Sequence, residues 1–357
     1  MRLSTVSAIV LRNVKIWTYK ALGQTARLRP YKVLVSLTNQ CNSRCEYCDI
    51  WKINPENPEL FRQEIKLEDL DRMFEDLGGD LIWLALTGGE ITLVKYFKEM
   101  VLSAKKHCPN LRIVTFTTNA LAPARVLEYA SFIQEQGLDV FVTISLDGNE
   151  EMHDQVRGVK GNYAKCERTY GMLKDAKIPV YYGITVADEN YDFIKAEYAD
   201  RNKTLKSVTF VHSGGIYEKE NAVNYDRIHK GLAHIYRNYR IDHFSELLEK
   251  IHIKVSMLFL DKPFERNVIP CEVMNTSAHV MPQGEIQPCM FLPAIGNIKT
   301  DKISDIYSSE EAEKLREEIR RDKCPTCWMN CYSPYSMMQH PFKSLAALTK
   351  KSVAESR

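Results

Sequence analysis

Between residues 31 and 215 the chain alternates six times between short apolar stretches and longer segments with helical spacing. The short stretches are Tyr31–Leu37, Leu81–Thr87, Arg112–Thr117, Val140–Leu146, Val180–Val186 and Ser207–Val211. Each is rich in β-branched or aromatic residues and reads as a strand. Between the first two, Leu70, Met73, Phe74 and Leu77 recur at helical spacing and Gly78 supplies the stop. A repeated strand–helix unit admits few folds, because parallel strands need crossovers and these are right-handed. The expectation is an α/β protein: a partial (β/α)6 TIM-like barrel, with its chemistry at the C-terminal ends of the strands.

Polar residues gather at those ends. The run CNSRCEYC (Cys41, Cys45, Cys48) follows the first strand and TGGE, Thr87–Glu90, the second. TTN (Thr117–Asn119) follows the third, SLDG (Ser145–Gly148) the fourth, and the last two lead to Asn190 and His212. Successive polar clusters of this kind suggest one shared cavity. Three thiolates on one short loop can hold three irons of a cubic iron–sulfur cluster, leaving the fourth iron open.

Of the ten cysteines, a second group lies near the end: Cys271, Cys289, Cys324, Cys327 and Cys331. Such spacing suits metal better than disulfides, and without a secretory signal it points to a reducing cytoplasm. Cys108 and Cys166 stand alone and read as small buried hydrophobes. A net charge of +2 gives no reason to expect nucleic acid as a partner.

The first loop resembles the C-x3-C-x-aromatic-C signature of the radical S-adenosylmethionine (radical SAM) superfamily, with Tyr47 in the aromatic place. That resemblance implies a [4Fe–4S] cluster on Cys41, Cys45 and Cys48 whose open iron binds S-adenosylmethionine. It also implies cofactor contacts from Gly88, Gly89 and Glu90, from Thr118 and Asn119, and from Ser145, Asp147 and Arg157. Glu90 would hold the methionine amino group and Arg157 its carboxylate, since guanidinium binds carboxylates in a bidentate way. His153 and Asp154, in the HDxxRG-like run, fit a functional or a helix-capping role, and His212 would face substrate or be a buried, hydrogen-bonded histidine.

The late cysteines, with Gly284 five residues before Cys289, resemble the opening of SPASM and twitch domains. The resemblance implies an auxiliary [4Fe–4S] cluster on Cys271, Cys289, Cys324 and Cys327, with Cys331 a fifth candidate. Four cysteines on a structural zinc ion remain the alternative.

Five segments are expected: a basic amphipathic extension (1–30), the radical SAM barrel (31–215), a helical connector (216–264), an auxiliary-cluster domain (265–335) and a basic, loosely held tail (336–357). In the extension Val6, Val10, Val14 and Trp17 form one stripe, and residues 1–32 carry seven Lys or Arg and no acid. The helix would pack on the barrel, lie on an anionic membrane, or be a cleaved transit peptide. The function implied by the resemblance is reductive cleavage of S-adenosylmethionine and hydrogen abstraction from a peptide or small polar molecule. Alternatives are a lipid or lipid-linked sugar at a membrane surface, or metal binding without catalysis. An external donor such as flavodoxin or ferredoxin would supply the electron.

Overall fold

The computed structural model describes residues 2–201, 204–212, 223–243, 245–263 and 265–355; the expected boundary at 215/216 lies outside them. The strands are β1 (Lys32–Ser36), β2 (Trp83–Thr87), β3 (Ile113–Thr118), β4 (Asp139–Ser145), β5 (Val180–Val186) and β6 (Leu205–Phe210). Three more follow: β7 (Ser277–Val280), β8 (Glu285–Gln287) and β9 (Gly296–Asn297). They form one open sheet in the order β6-β5-β4-β3-β2-β1-β7-β8-β9. This is the α/β partial barrel, with its first seven strands parallel and each of the six expected strands present.

The sheet does not stop at the sixth strand. β7 pairs parallel with β1, Leu34 opposite His279, and β8 and β9 continue antiparallel. The cysteine-rich segment therefore extends the barrel's own sheet from the far side of β1.

One face of the sheet packs under the helices through residues such as Val35, Leu84, Val114, Val142 and Ile184. The other face carries Thr115 and Thr117 on β3, Thr143 and Ser145 on β4, Thr185 on β5, and Ser207 and Thr209 on β6, all partly open. This follows from the strand period of two: alternate residues are committed to the core and the intervening ones line the barrel interior.

The helix Leu3–Ala21 closes the N-terminal end of the barrel. Ile9 and Ile16 pack with Leu28, Tyr31, Ile82 and Tyr335. Thr5 donates to Asp139 at the start of β4, and Asn13 to the Tyr31 hydroxyl. The buried face is thus Thr5, Ile9, Asn13 and Ile16. The helix packs on the barrel, but the apolar stripe Val6, Val10, Val14 and Trp17 points outward. Interior polar groups explain this choice of face, because Asn13 finds partners in Tyr31 and Gln339 that periodicity cannot foresee.

The helix Tyr225–Asn238, within the expected helical connector, buries Ile228, Leu232 and Ile235. The tail is not loose: Ser352 lies 2.8 Å from His229 Nε2 and 2.9 Å from Asp261, and Ser344 and Ala354 are buried.

Candidate active site and auxiliary centre

The loop with Cys41, Cys45 and Cys48 leaves the C-terminal end of β1 and is held on three sides. On the first, Gly89 N donates to Thr38 O (2.6 Å) and Glu90 N to Gln40 O (2.7 Å). A Cβ at Gly88, whose φ is +133°, would lie 2.6 Å from Thr38 O, and one at Gly89 would lie 2.0 Å from Gln40 O. The chain that this glycine pair admits is the cysteine loop itself, brought closer than any side chain permits.

Glu90 forms the second side. Its buried carboxylate accepts from Thr92 N (3.1 Å), Thr118 Oγ1 (2.8 Å) and Asn119 N (2.8 Å). Burial pushes its pKa up, against the pull of those hydrogen bonds. Asn119 passes the support on, donating to Asn42 Oδ1 (2.8 Å) and Ser43 Oγ (3.0 Å) within the loop.

The third side is the run from Ser145 to Gly158. Arg44 N donates to Arg157 O and Glu46 N to Val156 O, each at 2.9 Å. Arg157 Nε lies 2.6 Å from Asp147 Oδ2, and Arg157 Nη1 lies 3.6 Å from Cys45 Sγ. Burial opposes the guanidinium charge, but Asp147, Cys45 and Tyr47 outweigh it and raise the Arg157 pKa. His153 Nδ1 accepts from Asp147 N (3.2 Å), and burial draws its pKa down to about 4. Asp154 accepts from Tyr163 N (2.8 Å) at the start of the next helix. Both His153 and Asp154 are therefore scaffold. Ser145 ends β4 half-buried on the inner face, and Tyr47 is packed against the Asp147–Arg157 pair, its pKa raised first by burial and then by Asp147.

The three thiols are mutual neighbours. Burial lifts Cys41 to about 11 and Cys48 to about 12, and nearby Cys45 adds to both. Free thiolates are disfavoured in such a pocket, and iron coordination would stabilise the deprotonated sulfurs. Beside Cys41 opens a cavity of about 450 Å³, bordered by Asn39, Trp51, Asn54, Phe61 and Leu93.

At the other centre Cys271, Cys289, Cys324 and Cys327 line one small cavity with Trp328 and Tyr332. Burial raises Cys271 to about 12 and Cys324 to about 11, with Cys289 adding to each. Cys331 is set apart from this lining, and its neighbour is Lys32, whose Nζ donates to Cys331 O at 2.9 Å. Zinc would draw its thiolates onto one point about 2.3 Å away, whereas a cubic cluster spreads them over separate irons.

Sequence reasoning missed a buried chain linking β1 to this centre. Ser36 Oγ lies 2.9 Å from His279 Nε2, and His279 Nδ1 lies 3.1 Å from the Tyr332 hydroxyl. Nothing in the sequence signals it, since it exists only because β7 pairs with β1. Asn190 is likewise structural, donating to Asp147 O and Thr185 O. His212 is buried between Phe210 and Phe291.

A barrel with a three-thiol loop at its strand ends and a four-thiol cavity beside β1 defines an iron–sulfur enzyme with two clusters. The family comparisons agree: the radical SAM superfamily pattern matches residues 35–196, and that of the SPASM iron–sulfur cluster-binding domain matches residues 271–332. The chain belongs to the radical SAM superfamily and carries a SPASM-type domain. Its cofactors are a SAM-binding [4Fe–4S] cluster, an auxiliary [4Fe–4S] cluster and S-adenosylmethionine.

Two proteins of Bacillus subtilis (strain 168) are similar along most of the chain. The sporulation killing factor maturation protein SkfB is 25% identical over 302 residues, 83% of this chain and 69% of SkfB. The antilisterial bacteriocin subtilosin biosynthesis protein AlbA is 25% identical over 318 residues, 83% of this chain and 65% of AlbA. Among solved structures, anSMEcpe with bound AdoMet and the Cp18Cys peptide superposes with a TM-score of 0.55 at 20% identity, covering 90% of this chain and 100% of that one. Streptococcus suis SuiB bound to S-adenosylmethionine gives 0.54 at 14% identity, covering 84% and 69%. At these identities the superpositions establish the fold.

Proposed function

We propose that this enzyme modifies a peptide or a small polar molecule by hydrogen abstraction. When bound, the first cluster supplies the electron that cleaves S-adenosylmethionine to a 5′-deoxyadenosyl radical, and the auxiliary cluster accepts an electron in the ensuing oxidation or bond formation. Cys41, Cys45 and Cys48 would hold the first cluster; Cys271, Cys289, Cys324 and Cys327 the second. Glu90, Asn119 and Arg157 fix the loop that presents the open iron, and an external protein supplies the electron.

The observation that carries the substrate class is the barrel's inner face. From β3 to β6 it presents Thr115, Thr117, Thr143, Ser145, Thr185, Ser207 and Thr209, with the rings of Phe141 and Tyr181 set among them. The carboxylate of Asp139 is taken up by Thr5 and Arg2 at the closed end. Uncharged hydroxyls set around two aromatic rings suit the mixed amide, hydroxyl and apolar groups of a peptide. The names of SkfB and AlbA, tied to a killing factor and a bacteriocin, favour the peptide.

For location, the outward stripe of the first helix supports peripheral contact with a membrane, and among the described residues no helix is long and apolar enough to cross one. We read the chain as barrel (31–215), connector (216–264) and auxiliary domain (265–335), flanked by the 1–30 extension and the 336–357 tail.

The test is anaerobic turnover of reconstituted enzyme with candidate peptides. Cys45→Ala should abolish formation of 5′-deoxyadenosine, whereas Cys289→Ala should retain cleavage and lose modified product. Persistent 5′-deoxyadenosine from the Cys45 variant would refute the site.

A further inference from the structure

The outer face of the helix Leu3–Ala21 is apolar along its length. Leu3, Val6, Val10, Val14 and Trp17 recur at intervals of three and four residues, and all are exposed, Leu3 at 86% and Val10 at 54%. Leu11 extends the stripe at 68%. The helix meets the body through the opposite face, so this stripe is not a packing surface. Trp17 Nε1 donates to Gln339 O, which places the end of the stripe beside the helix Pro341–Ala347. That helix exposes Phe342 at 86% and also Leu345.

The sequence that carries this surface is basic. Residues 2–32 contain seven Lys or Arg and no Asp or Glu, and Lys343, Lys350 and Lys351 follow Gln339. Arg2, Arg12 and Lys20 are spent on Asp139, Asp80 and Glu272 of the body, and Lys32 is buried against Cys331 O. No described carboxylate pairs with Lys15, Arg27, Arg29, Lys343, Lys350 or Lys351. A protein partner would need its own acidic groups matched to these, and a second copy would bring the same cations against them. An anionic bilayer meets both demands, with an apolar layer for the stripe and phosphates for the cations.

We propose that this face docks the enzyme on an anionic membrane surface, with the helix lying in the interfacial plane. The inference rests on the peripheral reading of location and adds lipid charge and orientation to it. The helix covers Tyr31, Ile82 and Asp139, at the N-terminal ends of β1, β2 and β4. The cysteine loop leaves the opposite, C-terminal end of β1. Docked in this way, the barrel mouth faces the aqueous side and receives a polar substrate from there. The membrane is a place of work and not the source of the reacting carbon.

Full-length protein is tested by flotation with vesicles of pure phosphatidylcholine and of phosphatidylcholine containing phosphatidylglycerol, at low and high salt. Strong binding to the anionic vesicles is expected, weakened by salt and weakened about fivefold for each basic residue removed, as with Lys15→Gln or Lys343→Gln. Val10→Glu with Val14→Glu should abolish flotation while leaving the circular dichroism spectrum and iron content unchanged, since both side chains are exposed. Absence of binding to every vesicle would overturn the peripheral reading. Equal binding to neutral and anionic vesicles would leave that reading intact and overturn the anionic assignment. A dimer that the Val10/Val14 variant splits, without flotation of the parent, would assign the stripe to a second copy and overturn the proposal.

Discussion

Arg157 and Asp147 form a buried ion pair at 2.6 Å directly beneath the Cys45 sulfur. Asp147 is fully buried, and Arg157 spends one arm on it and directs another at the thiol loop. Removing the guanidinium leaves an uncompensated carboxylate in the interior. Arg157→Ala should therefore lower unfolding free energy by about 3–5 kcal/mol. Arg157→Lys should recover only part of it, because a single ammonium cannot reach both partners in the same plane. Urea unfolding of the apo-protein measures the loss, and iron content after reconstitution shows whether the loop still closes.

The glycine pair makes a sharper distinction between the two centres. Gly89→Ala places a methyl group 2.0 Å from Gln40 O, so the loop must move away from β2. The auxiliary cavity, on the other side of β1, is untouched. Reconstituted Gly89→Ala should hold about four irons per chain where the parent holds about eight. It should lose the electron paramagnetic resonance response to S-adenosylmethionine and keep the auxiliary signal.

Cys331 and Cys324 predict opposite behaviour. Cys331 is outside the four-thiol cavity, beside Lys32, while Cys324 lines it. Cys331→Ser should retain the auxiliary iron and its spectrum. Cys324→Ser should bind clearly less iron, or hold a cluster with an altered spectrum. Loss of the auxiliary cluster from the Cys331 variant would move the fourth ligand.

His153 gives a pH dependence with a definite sign. Its ordinary pKa of 6.5 is lowered to about 4, by burial first and then by Arg157. A depressed histidine contributes stability that is present above the unfolded value and is lost as pH falls through 6.5 toward 4. The loss approaches about 1.4 kcal/mol per pH unit. Unfolding free energy of apo-protein should drop more steeply from pH 6.5 to 5 in the parent than in His153→Gln, which keeps an acceptor for Asp147 N but cannot take up the proton.

The barrel was legible because its signals are local. Val180–Val186 is both the expected and the observed strand, and the others shift by one or two residues at their ends. The thiol sets were legible because ligands on one loop keep their spacing whatever the rest of the chain does. Glu90 was recognised as a site residue, but two of its three donors, Thr118 and Asn119, are brought near only by the adjacency of β2 and β3.

The sequence by itself determined the strand–helix repeat, the two groups of cysteines and the glycines at the second strand's end, since each depends on residues a few positions apart. Only the tertiary structure decided which face of the first helix is buried, that Cys331 stands outside the four-thiol cavity, and that Ser36, His279 and Tyr332 form one chain. Periodicity shows that a helix has an apolar face but not what meets it. The parallel pairing of β1 with β7 joins Ser36 to His279 across 243 positions, and no local pattern carries that contact.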